Sequence, residues 1–572
     1  MRSTPACATG ERRGVGSVSE RAPILRIEGL HVRLPAGADR PYAVEDANLE
    51  LHPGETLCVV GESGSGKSLT ARAVLGLLPA PHVVVSAGRI VFAGQDLLQV
   101  PADELRRVRG AGIAMVFQEP MSALNPLMTI GAQIEEVLQV HGALAPRERG
   151  ACVLALLEDV HLPDPARIAR AYPHQISGGQ RQRAMIAMAL ILEPKVLIAD
   201  EPTTALDVTT QAQILRLVRE LQQKRGTAVL FITHDFGVVA DIADRVAVMR
   251  HGRVVETGTA EHVLTQPEHP YTRALIAAVP PLAPPARQPA PPAPDCLAVS
   301  GLSKSFQVGG GWLGGQRKAV QAVRDVGFRL KRGETLGIVG ESGSGKSTVA
   351  RCLVRLVEPD AGEIALGGVD LVPLPARRLR PLRKRIQMVF QDPFGSLNPR
   401  YRVGRIIAEG PIVNGVPNHA AFARARELLE LVGLDARAAD RFPHEFSGGQ
   451  RQRIGIARAL ALEPEVLVAD EPVSALDVSV QAQVLELLAS IRDRLQLSMV
   501  FITHDLRVAA QVCDRIAVMQ RGEVVEYGPT TAVFASPSHP YTRELMDSIP
   551  GRAWSHGATS AALVQTGPAT PA

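Results

Sequence analysis

Two stretches of this chain carry the residue types that hold a phosphate chain. One reads GESGSGKSL from Gly61 to Leu69, the other GESGSGKST from Gly340 to Thr348. Gly61, Gly64 and Gly66, like Gly340, Gly343 and Gly345, free the backbone to turn its N–H groups onto an anion. Glu62, Ser63 and Ser65 fill the first loop between them, and Glu341, Ser342 and Ser344 the second. Lys67 and Lys346 follow as cations long enough to reach the outer phosphates, and Ser68 and Ser347 as hydroxyls suited to Mg²⁺. Leu69 and Thr348 lead into helices whose N-termini add partial positive charge at the same point.

Paired acids occur twice as well. VLIADEP ends on Asp200 and Glu201, and VLVADEP on Asp470 and Glu471. An aspartate at such a strand end can help hold a metal, while the glutamate can orient and activate a water. Acids capping the next helix would be a plainer use, but that use explains neither the pairing nor the repeat. FITHD brings His234 and His504 to two further strand ends, each 33 residues after its glutamate, where an imidazole could meet a terminal phosphate.

These groups need strands and helices to aim them. ETLCVVG, from Glu55 to Gly61, is a short apolar run rich in β-formers and predicts a buried strand, as ETLGIVG does before Gly340. After the loops, Ala71, Val74, Leu75 and Leu78 fall at helical spacing, as do Val349, Cys352, Leu353 and Leu356. Strand, glycine loop and helix is the context a phosphate-binding loop requires.

The 572 residues are too many for one core and predict several domains. Composition is ordinary, with 46% hydrophobic and 21% charged residues, and the net charge of +4 marks no general nucleic-acid binder. Six scattered cysteines offer no zinc-ligand spacing and predict reduced thiols. The longest apolar run, AMIAMALIL, stops at nine residues, too short to cross a bilayer, and the N-terminus lacks the apolar segment of a signal peptide. The chain is a duplication. SGGQRQR, ADEP and FITHD all recur at an offset of 270, whereas Lys67 and Lys346 differ by 279, so indels lie early in each copy. The expected organisation is a disordered segment 1–22, a first domain 23–278, a Pro/Ala-rich linker 279–295, a second domain 296–550 and a disordered tail 551–572. Eight prolines between Pro280 and Pro294 predict a semi-rigid extended spacer that lets the copies turn head-to-tail.

ISGGQRQR at Ile176 and FSGGQRQR at Phe446 resemble the signature motif of the ATP-binding cassette family, and the resemblance covers nearly all of residues 23 to 550. It implies an α/β fold of two tandem nucleotide-binding domains. Each would have a P-loop, RecA-like core with an antiparallel β subdomain and an α-helical signature subdomain. It further implies an ATPase in which two cassettes close on two nucleotides, each site drawing its loop from one copy and its signature from the other. One site would join Lys67, Ser68, Gln118, Asp200, Glu201 and His234 to Ser447, Gly448, Gly449 and Gln450. The other would join Lys346, Ser347, Gln391, Asp470, Glu471 and His504 to Ser177, Gly178, Gly179 and Gln180. Mg²⁺ would be held by Ser68, Gln118 and Asp200 in one, and by Ser347, Gln391 and Asp470 in the other. Neither copy lacks an acid, a histidine or a signature, so two hydrolytic sites are expected. TTALD and VSALD, ending at Asp207 and Asp477, resemble the loops through which such sites sense each other.

The copies differ where the family stacks adenine on an aromatic. Copy two offers Phe306, while the aligned position in copy one is Leu34, leaving Tyr42 from the following loop or weaker stacking. QEPMSALNP after Gln118, QDPFGSLNP after Gln391, and the HPYT segments at His269 and His539 resemble those of peptide and nickel importers. The implied partners are two integral-membrane permease subunits and, through them, a solute-binding protein, with the chain at the cytoplasmic face of a bacterial inner membrane. Cargo stays open among dipeptides, oligopeptides, glutathione, nickel chelates, opine-like compounds and other small solutes. No iron–sulfur cluster or zinc is expected, since only Cys296 follows the first HPYT segment. An exporter ATPase is the nearer rival. Twin cassettes acting on ribosomes or DNA form another class, but those carry charged linkers, zinc fingers or basic tails, and no nucleic-acid partner is expected here.

Overall fold

The computed structural model describes residues 22–142, 144–203, 206–286, 293–308, 318–474 and 476–554. The N-terminal segment to residue 21, the linker centre 287–292 and the tail from 555 lie outside the described residues, as do Cys7 and positions 204, 205 and 475 of the TTALD and VSALD loops.

In the first copy the strands run β1 (Leu25–Arg33), β2 (Tyr42–Leu51), β3 (Thr56–Val60), β4 (Val84–Phe92), β5 (Gln95–Asp96), β6 (Ile113–Val116), β7 (Val196–Asp200), β8 (Ala228–Thr233), β9 (Arg245–Arg250) and β10 (Arg253–Thr259). The second copy repeats them as β11 (Asp295–Val308), β12 (Lys318–Lys331), β13 (Thr335–Val339), β14 (Ala361–Leu366), β15 (Val369–Asp370), β16 (Ile386–Val389), β17 (Val466–Asp470), β18 (Ser498–Thr503), β19 (Arg515–Gln520) and β20 (Glu523–Pro529). Each copy holds an antiparallel sheet, β2-β1-β4-β5 or β12-β11-β14-β15, and a six-stranded sheet, β10-β9-β3-β8-β7-β6 or β16-β17-β18-β13-β19-β20. The six-stranded sheets are parallel except for one hairpin strand at the edge, β10 or β20.

The buried apolar runs read from sequence form the middle of these sheets because both of their faces are covered. Along β3, Leu57 and Val59 enter a core shared with the antiparallel sheet, and Cys58 and Val60 enter a core shared with the signature-bearing helices. That alternation is the period-two geometry of a strand between two layers. Each large apolar side chain buried there contributes about 1.5 to 3 kcal/mol. The helical layer of the first copy contains Ile130–Val140, Pro146–Asp159 and Gly178–Leu190, and the AMIAMALIL run from Ala184 lies in the last of these up to Leu190, with Ile191 and Leu192 past its end.

The helix after each glycine loop is shorter than its apolar spacing suggests. It ends at Val74 in one copy and Leu353 in the other, where Gly76 (φ 61°) and Arg355 (φ 56°) turn the chain left-handed. Leu78 and Leu356 therefore lie past the helix, and Leu356 is 57% exposed. Left-handed backbone is costless for Gly76 but strains an arginine. Arg355 is held by its buried guanidinium, which donates to the carbonyls of Leu371 and Val372.

The ends of the two copies also depart from expectation. Residues 279–286, expected to space the copies apart, run along the second one. Gln511 donates to the carbonyls of Pro281 and Ala283, and Leu282 packs on the second copy's core. Gly551–Trp554, expected to start the disordered tail, lie on the first copy, with Gly551 N–H donating to Asp241 at 3.0 Å and Trp554 against its core. Arg507 joins both ends by donating to the carbonyls of Pro280, Pro550 and Gly551.

Candidate active site

Each glycine loop leaves the C-terminal end of a central parallel strand, β3 or β13, the edge at which open α/β sheets place ligands. Gly61 has φ 150°, and a Cβ there would lie 2.2 Å from the Met249 carbonyl oxygen; Gly340 meets Met519 in the same way. At Gly66 (φ 106°) a Cβ would lie 2.6 Å from the Ala43 oxygen. Only glycine lets the loop coil this tightly.

Inside the loop Lys67 is buried, its Nζ donating to the carbonyls of Gly61 at 2.7 Å and Glu62 at 2.9 Å. Lys346 repeats this on Gly340 and Glu341, both at 2.7 Å. Burial holds both ammonium groups below the ordinary lysine range, opposed by nearby carboxylates. For Lys67 these include Asp477, and for Lys346 Asp207, each contributed by the other copy.

Ser68 Oγ donates to Asp200 Oδ1 at 2.7 Å, and Ser347 Oγ to Asp470 Oδ1 at 3.0 Å. Burial pushes both aspartates above the usual carboxylate range, against those hydrogen bonds. Asp200 Oδ2 is buried with no hydrogen-bond partner. A carboxylate oxygen held free beside a hydroxyl fits a hard divalent cation such as Mg²⁺.

The next residues, Glu201 and Glu471, sit at φ 46° and 47°. Such backbone costs a side-chain-bearing residue of order 1 to 3 kcal/mol and is characteristic of functional positions. Their N–H groups donate to Ile232 and Ile502 at the ends of β8 and β18. Gln118 Nε2 donates to Glu201 at 2.9 Å, and Gln391 to Glu471 at 2.9 Å. His234 Nδ1 lies 3.4 Å from Glu201, and His504 Nδ1 3.2 Å from Glu471. Burial disfavours both imidazolium forms, but the hydrogen bond and charge of the facing glutamate outweigh it and raise both histidines above their ordinary pKa.

The signature serines start their own helices. Ser177 and Ser447 accept from the N–H groups of Gln180 and Gln450 and donate their own N–H groups back to those side chains, two capping boxes. Gly178 and Gly448 open the helices, and Gly179 and Gly449 lie so close to Thr210 and Val480 that a Cβ would meet them at 2.5 and 2.3 Å. Among the described residues, the hydrogen bonds crossing between copies at the loops come from residues beyond the signatures. Ser63 Oγ donates to Asp477 at 2.9 Å, Ser479 bonds Glu62, and Thr209 bonds Glu341.

The adenine-side candidates separate. Phe306 is 40% exposed on β11 with Lys304 Nζ 5.7 Å from its ring. Tyr42 lies on β2 rather than in a loop, paired with Arg33 and edge-on to His31, while Leu34 packs partly buried on the core. Sequence reasoning missed Tyr271 and Tyr541, whose hydroxyls accept the N–H groups of Glu62 and Glu341 at 3.2 and 3.1 Å. The recurrence of HPYT 270 residues apart was the available signal.

The chain matches the family described as ABC transporter over residues 44–204 and 323–474, and that described as Oligopeptide/dipeptide transporter, C-terminal region, over residues 255–301 and 525–562. The glutathione import ATP-binding protein GsiA of Salmonella typhimurium is 47% identical over 557 residues, covering 92% of this chain and 89% of that protein. Its namesake in Escherichia coli K12 is 47% identical over 558 residues with the same coverage. A solved dimeric ATP-binding cassette in a post-hydrolysis state, bound to ADP and Pi, is 30% identical, with a TM-score of 0.38, and covers 41% of this chain and 98% of itself.

Proposed function

This chain belongs to the ABC transporter family and is an ATPase, and from that premise we propose that it drives an importer of glutathione or short peptides through two composite sites. The observation that carries the reading is the duplicated contact set of loop lysine, serine–aspartate pair and glutamine–glutamate–histidine cluster, complete in both copies.

Lys67 and the loop N–H groups take the β- and γ-phosphates of ATP, and the ammonium exchanges its carbonyl partners for phosphate oxygens. Asp200 and Ser68 with Gln118 would hold Mg²⁺ in the first site, and Asp470, Ser347 and Gln391 in the second, where the ion would offset charge on the phosphates. Glu201 orients the attacking water and draws its proton, with His234 holding the carboxylate and reaching toward the γ-phosphate. Glu471 and His504 do the same in the second site. Ser447 with Gly448 and Gly449, and Ser177 with Gly178 and Gly179, complete each site from the opposite copy on closure. ATP binds across both copies only when they are closed, so it favours closure and hydrolysis releases it. The cassettes meet the permease subunits through the segments after Gln118 and Gln391, at the cytoplasmic face of the membrane. No helix among the described residues is long and apolar enough to cross a membrane, which supports a partner supplying the channel.

Glu201→Gln with Glu471→Gln, isolated from native cells in mild detergent with ATP, should retain two multi-span proteins. Uptake of labelled glutathione, dipeptides and nickel chelates by cells lacking the chain then identifies the cargo. Recovery of ribosomal proteins or DNA instead of permeases would overturn the importer reading.

A further inference from the structure

Glu62 is gripped from three directions. Tyr271 Oη accepts its backbone N–H at 3.2 Å and donates to its carboxylate Oε2 at 3.2 Å. Its other oxygen, Oε1, takes the Ser479 hydroxyl from the opposite cassette. Its carbonyl holds Lys67 Nζ at 2.9 Å. The second site repeats the arrangement, with Tyr541 on Glu341 N–H, Thr209 of the opposite cassette on Oε1, and Lys346 Nζ on the carbonyl.

The HPYT letters explain how the hydroxyl is aimed. His269 caps the helix Pro270–Ala277 by accepting from Tyr271 N–H, and Pro270 takes the first helical position, where its missing donor costs nothing. Tyr271 is thereby fixed at the second position, 8% exposed, its ring under the Arg250 guanidinium at 4.8 Å. Burial pushes Tyr271 up to about 12 and Tyr541 further, so both hydroxyls keep their protons throughout the physiological range.

We propose that Tyr271 and Tyr541 are positioning residues of the ATPase, each holding its loop glutamate so that the opposite cassette's Ser479 or Thr209 sets the placement of the phosphate-binding lysine. The inference rests on the composite-site reading above and adds its transmission route. Movement of the opposite cassette pulls on the Glu62 carboxylate, Tyr271 ties that carboxylate to the residue's own backbone N–H so that the residue moves as one, and the displacement passes along the loop backbone to Lys67. A conformational coupling of this kind acts on turnover more than on ground-state nucleotide affinity.

The test uses the full chain with MgATP. Tyr271→Phe and Ser479→Ala should each lower kcat by about fivefold or more while KM for ATP moves by less than about twofold. The double variant should lose no more than either single, because one chain of contacts is cut twice. Ser479→Thr, which adopts the residue used at position 209, should retain turnover. Additive losses, a raised KM at constant kcat, or unchanged kinetics in Tyr271→Phe would overturn the relay. Glu201→Gln with Glu471→Gln, measured beside them, separates the two failures. Turnover retained there overturns the assignment of the acids and the relay with it, whereas turnover lost there with Tyr271→Phe unchanged overturns the relay alone.

Discussion

The two cassettes agree in the contacts of their glycine loops and paired acids and differ around them. Gln118–Glu201 and Gln391–Glu471 both span 2.9 Å, and Lys67 and Lys346 both lie 2.7 Å from the first glycine carbonyl of their loops. Divergence collects elsewhere: Leu34 against Phe306 beside the loop, Gly76 against Arg355 at a helix end, and Gly237 against Arg507 where the copies meet. A reacting phosphate tolerates little displacement of its partners, whereas adenine contact and the joining of domains admit several solutions. Duplication has therefore preserved two matching sets of loop, acid and histidine contacts while making their surroundings unequal.

The sharpest way to break that equivalence is to disable one engine at a time. Glu201→Gln and Glu471→Gln should each reduce phosphate release equally, and together they should lower it by about 100- to 10,000-fold, the range for loss of a general base. A large loss from one single variant beside near-normal turnover in the other would show that matching contacts hide unequal work.

The joining region should respond less, and asymmetrically. Arg507 binds three carbonyls from the ends of both copies, while its counterpart Gly237 leaves room for Pro550, whose oxygen would lie 2.5 Å from a Cβ there. Arg507→Ala should cost about 2 to 3 kcal/mol, the scale of losing a charged hydrogen-bond donor among buried acceptors. Gly237→Ala should displace Pro550–Gly551 and lower the same denaturant transition. If the midpoint moves in neither variant, the crossed ends are not what holds the cassettes together.

How legible this was in the sequence depended on whether the cause was local. The glycine loops, the acids and the strand-end histidines were readable because one element carries each motif and spacing alone sets its geometry. The helix ends were not, since Leu356 continues the apolar spacing of Val349 and Leu353, and only the left-handed Arg355 stops the helix. That conformation depends on carbonyls at Leu371 and Val372, which no helical period reveals. Proline content likewise predicted a stiff spacer over residues 279–295 but not Arg507 and Gln511, more than 200 positions away, which bind its start. The HPYT tyrosine was visible as a repeat, yet its partner Glu62 is brought to it by a separate strand and loop.

The smallest expected effect concerns adenine, and it tests whether divergence around the engines matters to them. Phe306 pairs with Val320 on β12 and is 40% exposed, with Lys304 Nζ 5.7 Å from its ring. Leu34 offers no ring, and Tyr42 is already engaged edge-on with His31 at 5.5 Å. Stacking of a base on an aromatic is worth about 1 kcal/mol or more, roughly fivefold in Kd. Phe306→Ala should therefore weaken nucleotide binding about fivefold at the second site only, and Leu34→Phe should strengthen the first by about as much. Both are read by titrating a fluorescent ATP analogue into the Glu201→Gln, Glu471→Gln background, where hydrolysis cannot blur the two affinities. Two affinities that converge in Leu34→Phe would mean that one side chain sets the order in which the sites fill. Affinities unmoved by either variant would place adenine away from Phe306 and leave the two sites as equal in binding as they are in their phosphate contacts.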